Sequence, residues 1–191
     1  MTTQSAAAKT TGSYRDVLRV SMPLVISMTT TVVMTFTDRV FLANYAIDAI
    51  AAALPAGIIA YVFLVFFADT AGYASVIIAQ YTGAGALQRV GSALWQAIYF
   101  ALISWLIMVG LSFGSGPLFR LVGHSADEQQ LEVIHFRMLC LGSGIHILGM
   151  SFSSFFTGRG VTRPVMNIYN IAMLLNVPLY YPLIYGFWIF P

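Results

Sequence analysis

The chain has 191 residues, of which 59% are hydrophobic and 8% charged, with a mean hydropathy of +0.81 and a formal charge of +2. Water-soluble domains carry about 25% charged residues, so this chain has too few to cover a core in water. So small a positive charge, in so apolar a chain, reports membrane orientation rather than nucleic-acid binding, and the lone cysteine, Cys140, rules out zinc-type spacing.

Charged residues are absent from 20–37, 49–68, 90–119, 138–158 and 164–191. A helix needs about 20 mostly apolar residues to cross a bilayer. Four stretches reach that length outright, and the first does so by taking in Asp38 and Arg39. Strands of alternating polarity, the mark of a membrane β-barrel, do not recur. The expected class is an all-α polytopic membrane protein with about five transmembrane helices.

Residues 1–19 are read as a cytoplasmic tail, disordered over 1–12, with a short surface helix over 14–19. They carry no cleavable signal. The transmembrane region occupies 20–191, with helices over about 20–43, 49–79, 90–111, 127–156 and 165–185. Pro23 is placed in the first turn of its helix, where proline is tolerated. Gly83 and Gly85 break the chain after the second helix, and 119–122 forms a short interfacial segment. Asp127, Glu128 and Glu132 start the fourth helix outside the core, since acids favour helix N-termini. Lys9, Arg15, Arg19, Arg89, Arg159 and Arg163 fall on one side, with Arg39, Arg120 and Arg137 as basic exceptions on the other, which places the N-terminus in the cytoplasm of a multi-pass cell-membrane protein. Pro191 ends the sequence without a polar tail, so a truncated chain is expected.

Polar groups inside the spans are the functional candidates, because they are costly in lipid. Asp38 closes the first helix. It either pairs with Arg39 or reaches the interface, or it binds a cation, H⁺ or Na⁺, with hydroxyls such as Thr35. No other metal site is expected. Asp69 lies deeper and is either helix–helix glue or a second ion or substrate carboxylate. Asn176 and Tyr180, four apart, share a helical face. Asn176 can offer its carbonyl oxygen to a cation or bridge helices. Met34, in a run with Met22 and Met28, and Tyr61 are candidate cavity residues, Met for its adaptable shape and Tyr for stacking on an organic cation. Core packing and interface anchoring compete with those roles. His135 and His146 are read as structural. No phosphate loop and no His-Glu-x-x-His occurs, so neither an enzyme nor a bound cofactor is expected.

Three segments carry a resemblance. The first is Met22-Pro23-Leu24 leading to Thr37-Asp38-Arg39-Val40. The second is Gln80-Tyr81-Thr82-Gly83-Ala84-Gly85. The third is Thr157-Gly158-Arg159-Gly160-Val161-Thr162-Arg163-Pro164, followed by Leu175-Asn176. Together they resemble the multidrug and toxic compound extrusion (MATE) family across nearly the whole chain. The resemblance implies five helices of a six-helix N-terminal lobe, with the sixth helix and the C-terminal six-helix lobe missing, and hence a fragment inactive alone. It implies a secondary antiporter that exports drugs or organic cations in exchange for H⁺ or Na⁺. Asp38 and Asn176 match the family's first-helix aspartate and fifth-helix asparagine. Tyr180 stands where many members have aspartate or asparagine, and Asp69 is a candidate to compensate. Two rival readings are a lipid-linked glycan or metabolite exporter, or flippase, of similar fold, and a non-transporting membrane scaffold.

Overall fold

The computed structural model describes residues 14–45, 47–122 and 125–185. The side chains of 42, 45, 47–53, 122, 127, 177 and 180–185 lie outside the described set, as does the tail expected over 1–12. Among the described residues seven helices follow in order: α1 Tyr14–Tyr45, α2 Ile47–Gly72, α3 Ala74–Gly83, α4 Leu87–Phe113, α5 Ser115–Val122, α6 Ala126–Gly158 and α7 Arg163–Tyr185. Four stretches are long and apolar enough to cross a membrane: Tyr14–Phe41, Leu54–Gly83, Leu87–Phe113 and Glu128–Gly158. The protein is therefore an all-α, polytopic membrane protein. α7, expected as a fifth span, is 23 residues long and stands outside those four.

The surface helix expected over 14–19 is instead the start of α1. Arg15, Asp16 and Arg19 mark a polar boundary, but charge does not break a helix. Pro23 is consequently internal, not in the first turn. Its missing N–H deprives the Arg19 carbonyl of a partner. The neighbouring Val20 carbonyl accepts a hydrogen bond from the Thr162 hydroxyl, 3.2 Å away in the α6–α7 turn. Along α1, the hydroxyls of Ser21, Ser27, Thr29, Thr30, Thr31, Thr35 and Thr37 are each placed to donate to the carbonyl four residues back, at 2.8–3.0 Å. Such back-bonding removes exposed hydroxyl donors from an apolar solvent.

The second expected helix is two, α2 and α3, interrupted at Tyr73. The Tyr73 N–H still reaches the Asp69 carbonyl at 2.9 Å, so the hydrophobic span continues through the break. Two reversals share one design. After α3, Gly85 takes φ +72° and the Ala86 N–H reaches back to the Tyr81 carbonyl. After α6, Gly160 takes φ +71° and the Val161 N–H reaches back to the Phe156 carbonyl. Both are left-handed glycine stops, which other residues adopt at a cost. α6 opens on a capping box: Ser125 Oγ accepts from the Glu128 N–H, and Glu128 accepts from the Ser125 N–H.

α6 is the central helix and packs against α2, α3 and α4. The buried stripe of α4 is Val90, Ala93, Ala97, Ala101, Ser104, Met108 and Ser112, mostly small residues that let backbones approach. Gly144 of α6 receives the Trp105 indole where a Cβ would lie 2.5 Å from the ring, and Trp105 Nε1 donates to the Leu141 carbonyl at 2.9 Å. Gly158 likewise lies against Ser75 and Ile78 of α3. α1 and α7 pair alongside this core. Thr30 Oγ1 lies 2.8 Å from Asn170 Oδ1 and 2.9 Å from the Ile26 carbonyl, and donates to one at a time. Outward faces are apolar: Val32, Phe36 and Ile145 are 68%, 68% and 82% exposed. In water such a surface would be unstable, whereas lipid solvates it.

Candidate functional site

The inner face of α1 follows from helical spacing. Ser27 and Thr30 are buried, and Met34 and Asp38 below them are half-buried. Spacings of three and four residues keep these side chains on one face. Asp38 opens into a cavity of about 660 Å³ bounded by four helices: α1 gives Asp38 and Arg39, α2 gives Tyr61, α4 gives Met108 and α6 gives His135. Arg39 runs onto α2, where its guanidinium lies 3.8 Å from the place a Cβ would take on Gly57. Asp38 thus shares its cavity with one fixed cation, one imidazole and one phenol.

The structure brings Asp38 and Tyr61 together and leaves the other candidates apart. Met34 and Thr35 do not line this cavity. Thr35 is exposed, with its hydroxyl directed at the Thr31 carbonyl, 3.0 Å away. Asn176 is on α7. Its Oδ1 is buried and has no hydrogen-bond partner among the described residues. Tyr180 belongs to α7, with its side chain outside the described set. Asp69, read as helix–helix glue or a second ion or substrate carboxylate, is exposed on α2 and lies within electrostatic reach of His146.

Three residues escaped the sequence reading. His135 and His146, read as structural, each lie near an acid: His135 shares the Asp38 cavity, and His146 is within electrostatic reach of Asp69. Eleven residues is about three helical turns, or roughly 16 Å along α6. His135 lies toward α1, and His146 lines a second hollow of about 270 Å³ against Tyr169 and other residues of α7. The spacing was readable in the sequence, but the nearby acids were not.

Glu132 is the third. It was expected with Asp127 and Glu128 in a solvent-facing first turn, yet it is fully buried. The signal was its spacing: Glu132, Phe136, Cys140, Ser143, Ile147, Ser151 and Ser154 recur at three and four residues and are all buried. Among the described residues no group of three or more His, Cys, Asp or Glu side chains is arranged to hold a metal ion.

A sequence model described as MatE matches residues 23–181. The chain is 24% identical over 179 residues to a probable multidrug resistance protein NorM of Thermotoga maritima, covering 93% of this chain and 38% of that protein. It is 27% identical over 104 residues to a probable multidrug resistance protein NorM of Mannheimia succiniciproducens, covering 54% and 22%. It is 24% identical over 110 residues to the multidrug resistance protein NorM of Vibrio cholerae, covering 58% and 24%. The chain thus spans less than two-fifths of the length of each of these relatives. No solved structure matches it.

Proposed function

The chain belongs to the MatE family of membrane transporters, which are not enzymes, and from that premise we propose that it supplies the ion-coupling half-site of a secondary antiporter. The transported class is an organic cation or similar drug, exchanged for H⁺ or Na⁺. The single observation that carries this reading is the half-buried Asp38 carboxylate in a four-helix cavity of about 660 Å³. A cavity of that volume is within the range of small-molecule sites.

The charge arrangement suggests how coupling works. With Asp38 ionised, its charge offsets that of Arg39, and the cavity tolerates a cation. When Asp38 takes up H⁺ or Na⁺, Arg39 is left uncompensated and the cavity becomes net positive. An organic cation about 6 Å away is then disfavoured by roughly 3 kcal/mol at an effective dielectric near 20. Ion and substrate therefore exclude one another, which is the thermodynamic requirement for exchange. Tyr61 offers a π face to the substrate. Asn176, with its buried carbonyl oxygen, is the second proposed cation ligand. Asp69 with His146, and Tyr180, complete the proposed set.

In this reading α7 is a fifth span within a six-helix lobe. The end bearing Arg15, Arg19, Arg89, Arg159 and Arg163 faces the cytoplasm. The transport unit includes sequence beyond these 191 residues, and the lobe alone is inactive, because alternating access generally moves two repeats against each other.

The test is retention of a fluorescent organic cation in cells lacking their own drug pumps. Cells would express the complete gene product or its Asp38→Asn variant at matched membrane levels. The parent lowers retention and the variant does not. Equal efflux by both would remove Asp38 from the mechanism. No efflux by the parent would point to a different substrate, such as a lipid-linked glycan.

A further inference from the structure

A second charged site lies at the opposite end of α1. We propose that Arg15, Arg19 and Arg163 form a binding site for the phosphate headgroup of an anionic phospholipid. Arg15 and Arg19 stand one turn apart at the start of α1, and Arg163 is the first residue of α7. The Thr162–Val20 hydrogen bond ties the two helices together at this level. The three arginines line a common hollow of about 660 Å³, in which Asp16 is the one acid among the described lining residues. A smaller hollow of about 300 Å³ continues from it, sharing Arg19 and Arg163 and reaching Gly160 and Thr162.

Charge, donors and boundary chemistry agree on the ligand. Three cations against one acid leave a net charge of +2, suited to a phosphate. Guanidinium groups bind phosphate through paired N–H donors. The remaining wall is apolar: Leu18 and Met22 are 54% and 51% exposed, beside buried Pro23. A free inorganic anion gains nothing from that wall. A phospholipid does, because its glycerol and upper acyl segments lie along it where the apolar run of α1 begins. Basic hollows between helices at a membrane boundary are suited to anionic headgroups. The site does not rest on the transport reading.

The experiment uses the complete gene product, delipidated in detergent. Binding of phosphatidylglycerol, phosphatidylcholine and inorganic phosphate is followed by native mass spectrometry. The protein is expected to retain phosphatidylglycerol at least about tenfold more tightly than phosphatidylcholine. Each arginine removed is expected to cost about fivefold, so the triple variant R15Q/R19Q/R163Q loses roughly a hundredfold. The control is R89Q/R159Q, whose arginines lie over Tyr81 and Phe155 outside the hollow. Unchanged binding in that control supports a built site. Equal loss in both variants overturns it in favour of diffuse surface charge. Displacement of the lipid by equimolar inorganic phosphate also overturns it, in favour of a free-anion site. Should the triple variant not fold, the exposed Arg163→Gln alone is expected to weaken phosphatidylglycerol about fivefold, and an unchanged affinity would refute the assignment.

Discussion

Replacing Gly144 by alanine tests the packing of α6 on α4. The added methyl would lie 2.5 Å from Trp105 Cγ and 2.6 Å from both Cδ atoms. Ordinary carbon contacts are about 3.5–4.0 Å, so the indole must retreat by about 1 Å. A retreat of that size takes Nε1 from 2.9 Å to nearly 4 Å from the Leu141 carbonyl and breaks the hydrogen bond. Overpacking costs about 1–3 kcal/mol and the lost bond about 0.5–1.5 kcal/mol. The expected destabilisation is about 1.5–4.5 kcal/mol, or roughly 10- to 2,000-fold in the folding equilibrium. Unfolding in mixed micelles, titrated with a denaturing detergent and followed by helical circular dichroism, measures it. Trp105→Phe should lose only the hydrogen bond. In a Trp105→Ala background Gly144→Ala should cost almost nothing, because the clash is gone. A Gly144→Ala cost under about 0.5 kcal/mol, or strict additivity with Trp105→Ala, would refute the reasoning.

Three further outcomes are expected. Asp38→Glu should keep measurable efflux in the cation-retention assay and Asp38→Asn should not; comparable efflux by both would show that the carboxylate is dispensable. Thr30→Val and Asn170→Ala should each destabilise the α1–α7 pair by about 1 kcal/mol. Their double variant should cost less than the sum, measured by the same micellar titration, and additive values would deny the bond its energetic role. Gly85→Ala and Gly160→Ala should each cost about 1–2 kcal/mol, since both glycines hold positive φ; a shift below about 0.3 kcal/mol at either would show that the turn relaxes to another conformation.

Much of the fold was legible because lipid forbids what water permits. Long charge-free runs must be helices, and four of the five expected spans are long and apolar enough to cross a membrane, whereas α7 stands outside those four. Boundaries were less legible. The polar Arg15–Arg19 turn reads as an interface, yet nothing in it stops a helix, so α1 starts earlier than expected. Tyr73 breaks the second helix without a proline to announce it. At the candidate site, Asp38 was visible as a charge out of place. His135 was not, because imidazole is unremarkable in an apolar run until an acid is seen near it. Glu132 misled for the opposite reason: its acidic neighbours suggested water, while its spacing with Phe136 and Cys140 governed its burial.

The matched glycine stops at Gly85 and Gly160 have a consequence for biosynthesis. Each reversal is closed by bonds among six consecutive residues, 81–86 and 156–161, and needs no distant partner. Each can form as soon as those residues leave the ribosome, before the helices that flank them have neighbours. The nascent chain is therefore expected to enter the bilayer with its α3–α4 and α6–α7 reversals already formed. The Thr30–Asn170 bond between α1 and α7 must wait until α7 arrives, although its α1 partner is among the first residues made.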